Sequence, residues 1–289
     1  MRHHYYRTRD GRVNFGALFA TFLKYVFILA LAFSTIIPFA WMLSSSLKMD
    51  KDIFRQPIQW IPIPPRWQNY PDVMKEIPFV TYYGNTLKIS CIVLVLQLLT
   101  SSMAAFSFTK LRYPGRQAIF MMYLATLMVP SQVTLIPQFL IVRNLGLFNT
   151  HAAVILLSGF SAFGVFMLCQ FFRGIPNELL EAAKIDGAGY LRSYLQIVMP
   201  LSKPALSALG IMTFIGEFNS FMNPMIYINS VELRTLTIGL KSLVSEYASQ
   251  ISLQMAGTVM TLVPVILVYI VAQEQIIKGL AFNSVAVKG

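Results

Sequence analysis

Residues 89–109, ISCIVLVLQLLTSSMAAFSFT, contain no Asp, Glu, Lys or Arg. At about 1.5 Å of rise per residue, a helix of this length crosses the roughly 30 Å hydrocarbon core of a bilayer. Residues 25–47, 117–142, 144–172 and 247–273 are equally free of charge, and a sixth apolar region, 204–231, is interrupted only by Glu217. Inside hydrocarbon every backbone N–H and C=O must be paired within the protein, so blocks this long form helices, and no alternating barrel pattern is present. The sequence therefore predicts an all-α, polytopic membrane protein with six transmembrane helices.

Composition agrees. Of 289 residues 56% are hydrophobic and 12% charged, about half the charge of an ordinary soluble domain. An even number of spans puts both termini on one side, and Lys and Arg choose which side faces the cytoplasm. With the N-terminus inside, the inner segments collect Arg2, Arg7, Arg9, Arg12, Lys24, Lys110, Arg112, Arg116, Arg173, Lys184, Arg192, Lys203, Lys278 and Lys288, the majority of the 23 basic residues. The net charge of +11 thus reads as topology; nucleic-acid binding would want a basic stripe on a soluble module. Residues 1–24 form a cytoplasmic basic segment, 25–275 the membrane domain with a long inner loop at 173–204, and 276–289 a cytoplasmic tail. The first apolar block exceeds a secretory-signal core and reads as a retained anchor.

The outer loop after the first span holds Pro57, Pro62, Pro64, Pro65, Pro71 and Pro78 with Trp60, Trp67 and Tyr70. Proline fixes φ and removes a donor, so this segment is irregular and partly rigid, either a connector with interfacial aromatics or a docking surface for an external protein. Cys91 and Cys169 lie within spans and read as buried small apolar residues. His3, His4 and His151 lack metal-ligand spacing, so no metal site is expected. The chain has no G-x-x-x-x-G-K-[ST] loop to cradle phosphates, so it is not expected to bind or hydrolyse ATP, or hold its Mg2+, by itself, and no cofactor is expected here.

The inner loop carries RGIPNELLEAAKIDGAGY (173–190) and reads as two short helices. Pro176 suits a first helical turn, Glu178 and Glu181 complement the positive end of the helix, and Gly187 is a natural C-terminal cap. Leu179, Ala182, Ala183 and Asp186 fall at i, i+3, i+4 and i+7, one face whose alanines allow close approach by a partner. On the second helix Tyr190, Tyr194 and Ile197 align, and Pro200 ends it.

The pattern Glu181-Ala182-Ala183, then Gly187, Ile197 and Pro200, resembles the EAA signature of membrane subunits of bacterial ATP-binding-cassette importers. Met199 stands where that family usually has Leu. The wider chain is similar to the maltose-permease type of carbohydrate importer subunit through PFAWMLSSSLK (38–48), FNT (148–150), FFRGIP (171–176), IDGA (185–188) and EFNSFMNP (217–224), with Phe218 where Trp is common. The resemblance implies a type I importer permease fold in a bacterial inner membrane. It also implies a second related permease subunit, two cytoplasmic ATPase subunits and an extracytoplasmic solute-binding protein. Residues Glu181, Ala182, Ala183, Asp186, Gly187, Ile197 and Pro200 would couple the chain to an ATPase.

Glu217 is costly within a span unless it faces protein or water. Together with Asn219, Asn223, Gln132, Thr134 and Gln138 it either hydrogen-bonds sugar hydroxyls along a passage or bonds between helices and subunits. Ser101, Ser102, Ala104 and Ala105 are small enough to let helices approach closely. An importer of a sugar or oligosaccharide is the leading expectation. A permease for a glycerol phosphate ester or peptide is the near alternative, and an ion-coupled secondary transporter the more distant one, since only Glu217 speaks for it. An intramembrane enzyme would need a nucleophile with a base, or a metal cluster, which these spans do not supply.

Overall fold

A computed structural model describes residues 15–244 and 250–286. The expected segment 1–24 thus lies largely outside the described residues, as do the start of the apolar block 247–273 and residues 287–289 of the expected tail. The chain opens with α1 (Phe15–Ser46), then the short α2 (Asp50–Ile53) and α3 (Asn69–Glu76). Next come α4 (Phe79–Lys110), α5 (Arg116–Ala125), α6 (Ser131–Asn144), α7 (His151–Ser158) and α8 (Ala162–Arg173). Helix α9 (Glu178–Ile185) is followed by α10 (Tyr190–Ser193), which runs through a π turn (Tyr194–Val198) into α11 (Met199–Leu201). The chain continues with α12 (Lys203–Phe218), α13 (Met222–Tyr227), α14 (Leu236–Ser242) and α15 (Ile251–Ala286).

Among the described residues four helical stretches are long and apolar enough to cross a membrane: Phe19–Ser46, Phe79–Lys110, His151–Arg173 and Ile251–Ile270. Two bent pairs raise the number to six if each is one span. Arg116–Met128 and Ser131–Asn144 meet at 102°, and Tyr190–Leu201 and Lys203–Phe218 at 78°. The apolar block 117–142 is therefore not one straight helix. Pro130 forbids the helical bond there and forces Val129 into extended geometry (φ −84°, ψ 118°). The region 204–231 is likewise broken, with α12 ending at Phe218 and α13 resuming at Met222.

Residues 1–73 with 246–260 form one compact unit and 74–245 with 261–289 a second. In the first, Asn69 ties down the turn that follows α1, its Nδ2 donating to the carbonyls of Ser46 and Lys48 at 2.8 Å each. Asp50 Oδ1 accepts from the Ser252 N–H at 2.7 Å, satisfying an orphan donor at the start of α15. Lys48 is 4% exposed, and burial pushes its ammonium pKa below the usual lysine range while the Asp52 charge opposes the shift. The proline-rich stretch carries no helix from Phe54 to Gln68, with Ile61, Ile63 and Trp67 largely exposed. In α1 no residue of the apolar window from Phe19 is buried within the chain.

The second unit is organised by α4, against which α8 and α12 pack. Apolar burial gives no net drive between helices in lipid, so close approach of small residues holds them together. Ser101, Ser102 and Ala105 are fully buried on the packed face of α4, and Gly164 lies so close that a Cβ there would sit 2.7 Å from Ser101 Oγ and 3.3 Å from Leu209 Cδ2. Around this contact Phe106, Val165, Leu168, Cys169, Phe172, Tyr194 and Leu209 form one core. A second core gathers Ile89, Val93, Val142, Val154, Tyr227 and Ile228. Both cysteines are free, Cys169 buried as expected but Cys91 on the exposed face of α4.

Replacing Gly164 with Val should overpack the α4–α8 contact and cost about 1–3 kcal/mol. Thermal unfolding in detergent should show a lowered Tm for Gly164→Val, and a wild-type Tm would contradict this account of the crossing.

Candidate functional site

Helix α9 is held at both ends and bare between them. Pro176 lies two residues ahead of the first helical residue, so it precedes the turn it was expected to enter. The helix start is fixed from α4, where Lys110 Nζ donates to the Ile175 carbonyl at 2.6 Å and to Asn177 Oδ1 at 3.0 Å. Asn177 therefore accepts from Lys110 with the side chain that an N-cap would turn on its own helix. Its carbonyl takes the N–H groups of Leu180 and Glu181. At the other end Gly187 adopts φ +81°, where a side chain would be strained. Gly187 N–H then bonds Lys184 O at 3.0 Å and Ala188 N–H bonds Ala183 O at 2.9 Å, the paired closure of a Schellman cap.

No residue of α9 is buried. Leu180 packs on the core, while Glu181, Ala182, Asp186 and Gly187 are exposed and Ala183 is half-buried. Ile185 is 88% exposed, and Leu179, Leu191 and Leu195 are also out of the core. The Glu181 carboxylate makes no hydrogen bond or ion pair among the described residues. Ala183, Asp186 and Ile197 line one shallow pocket of about 150 Å³, so the two halves of the motif meet in space. Pro200 is exposed and the helix runs one residue past it, to Leu201.

The second helix departs from regular α spacing. Tyr190 is exposed and Tyr194 buried, although the Tyr194 N–H closes an ordinary helical turn on Tyr190 O, and from Tyr194 to Val198 the chain winds as a π turn. Tyr194 OH meets Ser102 Oγ at 2.7 Å and its ring lies 5.4 Å from that of Phe106. Such turns are frequent at functional sites. Nothing in the spacing announces this one, though a tyrosine facing a serine-bearing span is a usable signal.

The interior polar residues are only partly brought together. Glu217 lies beside the Ser158 hydroxyl, and its Oε2 is buried without a hydrogen bond. Around Ser158 a polar cluster crosses three elements. Gln97 Nε2 donates to Ser158 O at 2.6 Å, Thr213 Oγ1 donates to Gln97 Oε1 at 2.8 Å, and Thr100 Oγ1 donates to Gly159 O at 3.2 Å. Gln97, Thr100, Ser158 and Thr213 were not anticipated, although a lone Gln in a charge-free span is the clue. Asn219 bonds its own helix at Ile215 O, 2.8 Å, and Asn223 is half-buried. Gln132 and Gln138 are exposed on α6, and no hydrogen bond among the described residues joins them to Glu217. His151 Nε2 meets the Leu233 carbonyl at 2.8 Å, a structural contact.

Residues 97–278 match the family described as the binding-protein-dependent transport system inner membrane component. The chain is 32% identical over 258 residues to the arabinooligosaccharides transport system permease protein AraQ of Halalkalibacterium halodurans, covering 88% of this chain and 92% of that one. It is 32% identical over 239 residues to the sn-glycerol-3-phosphate transport system permease protein UgpE of Yersinia pestis, covering 80% and 85%. In fold it is similar to a chain of a bacterial ABC transporter involved in the import of the acidic polysaccharide alginate. That likeness has a TM-score of 0.81 at 24% identity and covers 91% of this chain and 98% of that one. With the bare, capped helix α9 and its multi-pass helical scaffold, this chain belongs to the family of binding-protein-dependent transport system inner membrane components, the permease subunits of ABC importers.

Proposed function

We propose that this permease carries a sugar or oligosaccharide across a bacterial inner membrane through six spans, with both termini cytoplasmic. The loop 173–204 would be its handle for a cytoplasmic ATPase. The observation that carries the coupling reading is α9, a helix fixed at both ends yet with no buried residue, exposing Ile185 and an unpaired Glu181. A rigid apolar projection of this kind suits a cleft in another protein. In this reading Glu181 makes polar contacts with the ATPase, Ala182 and Ala183 permit close packing, Asp186 and Ile197 shape the seat, and Gly187 and Pro200 keep the loop stiff. Closure of two ATPase subunits around ATP then moves α9, and the π turn and Tyr194 pass that motion to α12. A second permease subunit completes the passage and an extracytoplasmic binding protein delivers the solute, as the family description suggests.

The sugar assignment is supported by the arabinooligosaccharide permease relative. The glycerol-3-phosphate permease relative favours a glycerol phosphate ester as the second reading. Ligand screening of the cognate binding protein decides between them, with a sugar hit expected and a phosphate ester hit overturning the sugar assignment. Glu217 and the polar groups near it are the part of the chain proposed to meet the solute or to gate its path.

Gly187→Val forces a β-branched residue into left-handed geometry, a strain of about 1–3 kcal/mol, and Ala183→Phe blocks the close-packed face. Both variants should reach the membrane in normal amount but lose ATPase association and transport; wild-type values in both assays would sink the coupling role. Glu217→Gln keeps the shape and removes the charge. It should assemble normally while transport falls about tenfold, the equivalent of one lost polar interaction. Unchanged transport would argue that the charge is dispensable. A cysteine placed at Ala188 should react with an impermeant thiol reagent only from the cytoplasmic side, and labelling from outside would invert the topology.

A further inference from the structure

Between the end of α4, the start of α5 and helix α9 lies a groove of about 540 Å³. Lys110, Arg112, Arg116 and Lys184 line it, against one carboxylate, that of Glu181. The two cations whose positions are fixed by hydrogen bonds are held by neutral acceptors. Lys110 bonds Ile175 O and Asn177 Oδ1, and Arg116 Nη1 bonds Leu111 O at 2.7 Å. Neither Arg112 nor Lys184 forms an ion pair among the described residues. Glu178, outside the lining, also acts on Lys110, so among the described residues four cations face two carboxylates and the groove keeps an excess of positive charge. Phe106 and Leu111 give it an apolar side.

Its place in the fold narrows the occupant. Lys110 closes one helix long and apolar enough to cross a membrane and Arg116 opens the bent pair that would be the next span, so these two cations mark the end of a span, and Lys184 reaches the same groove from α9. We propose that this groove binds the phosphate of an anionic glycerophospholipid, with Arg112 and Lys184 as its principal contacts and the glycerol and upper acyl chain against Phe106 and Leu111. Guanidinium and ammonium groups are the phosphate-binding side chains, and basic pockets between membrane helices hold lipid headgroups elsewhere. An acidic segment of a partner protein would satisfy the charge but would leave the apolar side unused. A lipid bound here would brace α9 against the α4–α5 corner and make its position depend on leaflet charge. The inference stands on the span ends and the groove and does not need α9 to grip an ATPase.

Native mass spectrometry of the full chain in neutral detergent, titrated with phosphatidylglycerol or phosphatidylcholine, tests it. The wild type should retain phosphatidylglycerol in preference to phosphatidylcholine. Arg112→Gln and Lys184→Gln should each weaken that retention about fivefold, and the charge-keeping pair Arg112→Lys with Lys184→Arg should restore it. Equal retention of the two lipids by the wild type, or an unaltered preference in the doubly neutralised variant, would overturn the proposal. So would ready displacement of phosphatidylglycerol by inorganic phosphate, which would mark a free-anion site, or by an added ATPase subunit, which would mark a protein interface. ATPase association measured on the same variants reports on the coupling reading separately.

Discussion

A backbone carbonyl left without a donor inside hydrocarbon costs several kcal/mol, and the helical breaks of this chain are arranged around that constraint. The pause between α7 and α8 frees the carbonyls of Ser158 and Gly159, which take hydrogen bonds from Gln97 and Thr100 on α4. Ser161 then caps the new helix at Gly164 N, 3.0 Å. The pause after α12 frees Ser220 O, which accepts from Thr237 at 2.7 Å. Each interruption is thereby tied to a different helix, so a break is also a cross-brace. A transporter needs bends that are defined and not loose, and polar side chains from neighbouring helices supply them.

The same economy shapes the loops between helices. Asn149 takes a positive φ of 61° and its carboxamide oxygen accepts from the backbone N–H groups of Asn229 and Ser230 at 3.0 and 2.9 Å. Asn85 donates to the carbonyls of Glu232 and Arg234 at 2.9 and 3.0 Å. Asparagine tolerates left-handed geometry and carries both donor and acceptor, so two such residues fix a loop without a sheet. Against these pinned regions α9 stands out as an element clamped only at its ends. Lys110 and Gly187 secure it to the scaffold, and the side opposite Leu180 has no packing partner among the described residues. Rigidity at the ends with an open face is what a mechanical handle requires, because a soft helix would absorb the displacement it has to transmit.

The sequence disclosed these features unequally, for physical reasons. The membrane class was legible at residues 89–109 because absence of charge over a bilayer thickness has one economical meaning. Helix α9 was legible because Gly187 marks a left-handed position and the acidic residues mark a helix start. The 102° bend was harder to read. Pro130 sits in a block without a charged residue, and absence of charge carries no direction. The π turn over 194–198 was invisible because helical spacing assumes 3.6 residues per turn, and spacing also did not tell that Tyr194 is buried while Tyr190 is exposed. Gln97 escaped because charge, not hydrogen-bonding capacity, defined the spans. Gln132 and Gln138 are exposed on α6, and no hydrogen bond among the described residues joins them to Glu217, so spacing alone does not bring them to it.

The central claim is that α9 enters a nucleotide-hydrolysing partner. A photo-crosslinking residue at Ile185, the most exposed apolar position of that helix, tests this in intact membranes. The account predicts a covalent adduct with an ATPase subunit whose yield changes between nucleotide-free and ATP-bound conditions. Adducts with lipid alone, or with a protein on the outer face of the membrane, would contradict it.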